Sequence, residues 1–285
     1  MASDDTIQKK ENAVQAAMAD TAIEKSQKRD KPAMEVRDVH FAYGKNKVLK
    51  GVSLKIEEGK VTTIMGANGC GKSTLFALMT NELYPKKGKI FLKGKNIHNL
   101  TLKEFARKVA IVQQYNSASD DITVEKLVSY GRTPHRKLMQ SDSSEDEEKI
   151  RWALEVTGLT DYSDREVSRL SGGQRQRVWI AMALAQGTKT LFLDEPTTYL
   201  DIRYQIEILQ LVRRLNREYG MTIIMVLHDI NQAITYSDCI IGLKDGQVRV
   251  CGDPESVIDE EVIHDLYGID LEVTMVNGRK FVLAI

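Results

Sequence analysis

The run "KVTTIMGANGCGKSTLFALMTNEL", Lys60 to Leu83, limits what this chain can fold into more than any other stretch. A short apolar segment leads straight into a turn with three glycines, and a helix-forming segment follows at once. The turn fits the spacing G-x-x-x-x-G-K-[ST], with Gly66, Gly71, Lys72 and Ser73 in the fixed places. Glycines let successive backbone N–H groups converge on one anion, and the helix behind aims its positive end at the same point. The residue types therefore specify a phosphate cradle: Asn68, Gly69 and Thr74 complete it, Lys72 neutralises β/γ charge, and Ser73 offers its hydroxyl to Mg²⁺.

"TLFLDEP" supplies a second half. An apolar strand ending in Asp194 carries a carboxylate to the edge of a sheet where ligands collect, which makes Asp194 a Mg²⁺ ligand. Glu195, one residue on, is placed to polarise an attacking water. "RLSGGQRQRV" adds a further glycine-rich helix start. Ser171, Gly172, Gly173 and Gln174 combine free N–H groups, a hydroxyl and a helix dipole, an anion site in themselves. A chain that already owns one phosphate loop must find a second phosphate group for this one to serve.

Elsewhere the sequence sets the frame. "MEVRDVHFAY", "VSLKI" and "KIFLKG", with turns between them, read as antiparallel strands. The continuous apolar runs "TLFLDEP" and "MTIIMVLHD" alternate with helices and read as a parallel sheet covered on both faces. Residues 102–168 read as mostly helical, with Ser144 and Glu147 forming a capping box and Gly158 stopping that helix. "KDGQ" and "VNGR" signal hairpins, and without an internal repeat there is one nucleotide-binding unit. Residues 1–32 are polar and read as a disordered tail or a marginal helix.

Composition removes several function classes. Forty Lys+Arg balance forty Asp+Glu, so no net field attracts nucleic acid or an anionic bilayer. Three scattered cysteines suit a reducing compartment and make no disulfide framework or zinc site. No run approaches the roughly 18 apolar residues of a spanning helix, and the N-terminus lacks a signal peptide. A soluble protein is expected, serving a membrane only through a partner.

These motifs, with "AIVQQY", "TTYLD" and "VLHD", resemble the ATP-binding subunit of ABC transporters over about Met34 to Ile285. The resemblance implies an α/β fold: a P-loop NTPase core with a mostly parallel sheet, an antiparallel β subdomain, and a helical subdomain at about 102–185 within a domain spanning 33–285. It implies an ATPase using ATP and Mg²⁺, and a homodimer in which the segment matching 170–174 faces the γ-phosphate held by the other copy. That would answer the question of the second helix start. Residue by residue, Tyr43 matches the aromatic that stacks on adenine, with a core tyrosine as the competing reading. Gln114 is assigned as the glutamine that senses Mg²⁺ and the attacking water, although Gln113 beside it keeps the choice open. Asp201 matches an aspartate that links the two copies, and His228 one that contacts the γ-phosphate. His40, His98, His135 and His264 match nothing. Ala67 replaces a common proline without removing an N–H group. Cys70 sits inside the loop, where the helix start and Lys72 act to lower its pKa; a tolerated small residue is the competing reading and is favoured over a redox switch.

"DDITVEKLVSYGRTPH", "EPTTYLDIRYQIEIL", "VLHDINQAITYSD" and "YGIDLEV" resemble, within that family, importers of iron-siderophore complexes, haem and cobalamin. This implies integral membrane permease subunits contacting Val124–His135, an extracytoplasmic substrate-binding protein reached indirectly, and a place on the cytoplasmic face of the membrane. No nucleic-acid partner is expected. The rival readings are a lipid or drug exporter subunit and an ABC ATPase acting on DNA or ribosomes. A non-enzymatic module would be expected to lack Glu195 or His228.

Overall fold

The structure, a computed structural model, describes residues 32–136 and 143–283. The tail expected over 1–32 lies outside the described residues apart from Pro32. Alternating burial builds the first layer: Met34–Tyr43 (β1), Asn46–Ile56 (β2), Lys87–Leu92 (β4) and Lys95–Asn96 (β5) pair antiparallel in the order β2-β1-β4-β5.

The apolar runs build the second layer. Val61–Met65 (β3), Val109–Val112 (β6), Thr190–Asp194 (β7), Thr222–Val226 (β8), Cys239–Lys244 (β9) and Gln247–Gly252 (β10) form one sheet, ordered β10-β9-β3-β8-β7-β6. Every neighbouring pair is parallel except the β9–β10 hairpin. β3 and β8 are buried at every residue, as strands covered on both faces must be. Alternate residues still choose sides. Leu191 and Leu193 join the core beneath the helices Gly172–Ala185 and Ile202–Tyr219, while Phe192 faces the antiparallel layer and meets Phe76 edge-on at 5.5 Å.

Nine helices stand among the described residues. They are Lys72–Met79 (α1), Leu102–Ala106 (α2), Val124–Ser129 (α3), Ser144–Thr157 (α4), Gly172–Ala185 (α5), Ile202–Tyr219 (α6), Ile230–Tyr236 (α7), Pro254–Val257 (α8) and Glu260–Tyr267 (α9). A last hairpin joins Glu272–Val276 (β11) to Arg279–Leu283 (β12). Both hairpin turns read from sequence form, Asp245–Gly246 and Asn277–Gly278, with positive φ at each residue as the tight two-residue turn requires.

Two sequence expectations shift. The stretch read as mostly helical also contains β6, whose four apolar residues are too few for periodicity to separate strand from buried helix. The capping box of α4 lies one residue earlier than expected, between Ser143 and Asp146 instead of Ser144 and Glu147. The reason is tertiary. Arg132, almost fully buried, donates from Nε to Asp146 Oδ1 at 2.6 Å and from Nη1 to the carbonyls of Ala185 at 2.9 Å and Gln186 at 3.3 Å. Burial alone would raise the Asp146 carboxyl, but the Arg132 and Ser143 hydrogen bonds outweigh it and hold the group below its ordinary value.

Arg132 thus ties α4 to the end of α5. Arg132→Met is expected to cost about 3–5 kcal/mol in urea unfolding, because it leaves a buried carboxylate alone. The double variant Arg132→Met, Asp146→Leu should lose less than that single variant. Equal or greater loss in the double would show that the ion pair is not what holds α4.

Candidate active site

The phosphate loop leaves β3 and is braced from outside. Gly66 has φ 143°, and a Cβ there would lie 2.2 Å from the carbonyl oxygen of Leu243 on β9. Gly246, in the β9–β10 turn, donates its N–H to Cys70 O at 3.0 Å and accepts from Lys50 N at 2.9 Å. Only glycine meets that close approach at that φ. α1 begins at Gly71 with no side-chain cap and no acid in its first turn, so its leading N–H groups remain available to an anion. Lys72 is buried, and its Nζ donates to Gly66 O at 2.8 Å and Ala67 O at 3.1 Å. Asn68, Gly69, Ser73 and Thr74 belong to the same loop and first helical turn.

Cys70 shows no lowered pKa. Its thiol is buried, and desolvation raises its pKa, outweighing the lowering by Lys72. The cysteine with a lowered pKa is Cys251, exposed on β10 and brought down to about 7 by the neighbouring Cys239 thiol, which is itself pushed up.

Three neighbouring parallel strands bring the polar groups of the site together. Gln114 follows β6, Asp194 and Glu195 end β7, and His228 follows β8. Glu195 is largely buried and sits at φ 47°. Its Oε1 lies 2.6 Å from His228 Nε2, and its Oε2 accepts from Gln114 Nε2 at 2.5 Å and Thr198 Oγ1 at 3.0 Å. Beside it, Asp194 Oδ1 is buried without a hydrogen-bond partner among the described residues. Burial pushes the Asp194 carboxyl up to about 6, Glu195 and Glu82 add to the rise, and His228 and Lys72 pull it back. An orphaned oxygen amid like charges fits a site meant for a divalent cation.

The geometry separates the two glutamines. Gln114 bonds to Glu195, whereas Gln113 turns to Glu82 Oε1 at 2.7 Å. Tyr43 is 54% exposed at the end of β1, its ring edge-on to Phe41, so it is not a core tyrosine. The four unmatched histidines have local partners: His40 with Asp38, His98 with Asn81, His135 with Gln186 O, and His264 with Asp270.

The second helix start lies with a different set of neighbours. Ser171 caps α5 in a reciprocal box with Gln174: Ser171 Oγ accepts from Gln174 N at 3.3 Å, and Gln174 Oε1 accepts from Ser171 N at 3.0 Å. A Cβ on Gly173 would lie 2.3 Å from the Tyr204 ring, and one on Gly172 would touch Leu200. Asp201 caps α6 by accepting from Tyr204 N at 3.1 Å. Ser171–Gln174 and Asp201 therefore share one surface, while the phosphate loop packs on Val48, Leu49 and Leu243. Sequence reasoning missed Glu82 and Thr198. Thr198 lies within the "TTYLD" segment three residues from Glu195 but was given no role there, and Glu82 has no motif signal and reaches the carboxylates only through the fold.

A family model described as ABC transporter matches residues 49–198. The chain belongs to the ABC transporter family. The iron(3+)-hydroxamate import ATP-binding protein of Bacillus subtilis (strain 168) is 45% identical over 85% of this chain and 90% of its own length. The ferric enterobactin transport ATP-binding protein of Escherichia coli (strain K12) is 44% identical over 80% of this chain and 84% of its own. Among solved structures, a dimeric bacterial ABC transporter cassette aligns with a TM-score of 0.66 at 31% identity, covering 78% of this chain and 98% of that one. This ABC protein is accordingly an ATP-binding ATPase with the P-loop fold that the family's solved members share.

Two measurements follow. In EDTA, the raised Asp194 pKa means that this carboxylate costs stability as pH rises from about 4 to about 6. Asp194→Asn is therefore expected to raise the unfolding temperature at pH 8, to keep part of that advantage at pH 5 and to lose it as the pH falls to about 4. An advantage independent of pH would contradict the burial argument. Brief maleimide labelling near pH 7 should modify Cys251 first and Cys70 last, and a faster Cys70 would overturn its assignment as a desolvated thiol.

Proposed function

We propose that this ATPase powers import of an iron-siderophore-type ligand through a separate membrane permease, working as a pair of identical copies on the cytoplasmic face of the membrane. The import and iron-siderophore reading is supported by the functions of the relatives, which include iron(3+)-hydroxamate import, petrobactin import and ferric enterobactin transport. Those functions favour it over lipid or drug export. No helix among the described residues is long and apolar enough to cross a membrane, so the passage itself would belong to a partner. A cavity of about 590 Å³ beside α3, lined by Thr123, Lys126, Ser129 and Arg151 among others, supports Val124–His135 as the permease-facing region. An extracytoplasmic binding protein would act only through that permease, and nucleic acid has no part.

The observation that carries the catalytic reading is Glu195, held by Gln114, Thr198 and His228 beside the orphaned Asp194 oxygen. Ser73, Gln114 and Asp194 would hold Mg²⁺, which when bound supplies positive charge to the phosphates and relieves the carboxylate cluster. Lys72 would exchange its two loop carbonyls for β/γ-phosphate oxygens, with Gly66, Asn68, Gly69, Gly71, Ser73 and Thr74 completing the cradle. Tyr43 would stack on adenine. Glu195 would orient the attacking water and accept its proton, while His228 and Gln114 fix the carboxylate's direction and His228 reaches the γ-phosphate. Ser171, Gly172, Gly173 and Gln174 would close over the nucleotide held by the other copy, with Asp201 at the seam. The dimeric cassette among the structural relatives supports that pairing.

Glu195→Gln keeps the shape and removes the base. It is expected to slow hydrolysis about 10²–10⁴-fold and to accumulate an ATP-bound dimer in size-exclusion chromatography. Hydrolysis at the parent rate would show that Glu195 is not the base.

A further inference from the structure

Two exposed phenols face each other beside the catalytic carboxylate. Tyr115 follows Gln114, and Tyr199 lies in the turn between Glu195 and Asp201. Their hydroxyls are 2.9 Å apart and their ring centroids 6.2 Å apart, although the side chains are 71% and 80% exposed. Exposed tyrosines have no burial to hold them together, so the contact reflects how their backbones are set. Tyr199 adopts φ 63°, a conformation that a bulky residue avoids unless its surroundings impose it. The pair edges a cavity of about 320 Å³ that separates the Gln114 segment from the start of α5, with Asn116, Gly172 and Arg175 on its walls.

The same two segments are thus joined twice. Gln114 Nε2 bonds to Glu195 Oε2, and the next residue, Tyr115, bonds to Tyr199 four positions beyond Glu195. A single hydrogen bond leaves a loop free to pivot about it, whereas two side by side fix its orientation. We propose that Tyr115 and Tyr199 are positioning residues that lock Gln114 onto Glu195 and so set the geometry of hydrolysis. The proposal rests on the reading of Glu195 and Gln114 given above and adds to it a latch built from side chains that touch no reacting atom. The latch also ties the Gln114 segment to the turn leading to Asp201, so a displacement of one drags the other.

Tyr115→Phe and Tyr199→Phe keep both rings and remove the hydroxyl contact. Steady-state ATP hydrolysis by the full chain, at concentrations that saturate pairing, separates the outcomes. Each single variant should lower kcat about fivefold, the size of one net hydrogen bond, with KM for ATP unchanged. The double variant should be no slower than either single, because one contact is removed in all three. In a Gln114→Ala background the Tyr115→Phe change should have no further effect, since the latch acts through Gln114. Parent kcat in either single variant, losses that multiply in the double, or the same loss without Gln114 would overturn the proposal. Glu195→Gln serves as the reference. If it abolishes turnover while the tyrosine variants turn over normally, the latch alone fails, and if it turns over normally, the reading of the site itself fails.

Discussion

The parallel pairing of β3 with β8, β8 with β7 and β7 with β6 brings the phosphate loop, His228, the Asp194–Glu195 pair and Gln114 to one edge of one sheet. Residues separated by most of the chain become neighbours because each sits just past the end of its strand. The same pairing excludes water from the strands themselves, so the edge is rigid up to the point where the chemistry begins. The braces are backbone contacts: the Leu243 carbonyl against Gly66, and Gly246 against Cys70. A slip of one residue in any of these pairings would turn Glu195 or Gln114 to the opposite face.

Against that rigid edge the protein stores electrostatic tension. Asp194, Glu195 and Glu82 interact unfavourably, and the Asp194 oxygen has no hydrogen-bond partner among the described residues to relieve it. Glu195 and Tyr199 both hold positive φ in the short turn that ends β7. Such features lower stability and survive where function needs them. On the proposed reading, nucleotide and cation would relieve that repulsion, so binding would gain from its removal. By contrast, Ser171 and Asp201 are each engaged as helix caps, which holds the shape of that surface within the single chain.

Local motifs were legible in the sequence because their chemistry and their geometry occupy the same few residues. The loop Gly66–Thr74, the strand ending at Asp194 and the cap at Ser171 each combine residue type with a fixed turn, so reading them required no tertiary information. What the sequence left open or misplaced has a different cause. Choosing Gln114 over Gln113 depends on which way each side chain leaves the end of β6. The cap of α4 moved to Ser143 because Arg132, distant in sequence, claims Asp146. Cys70 shows no lowered pKa because burial outweighs the nearby lysine. The hydroxyl contact of Tyr115 with Tyr199 spans 84 residues and leaves no periodic trace.

The central claim is that the catalytic edge of one copy is incomplete without the helix start of another. Its most direct test is the rate of ATP hydrolysis per chain as the protein is diluted through the range in which pairs dissociate, with association followed in parallel by light scattering. The account expects the rate per chain to fall in step with the fraction of paired molecules and to approach zero for the monomer. A rate per chain that stays constant after every pair has separated would contradict it.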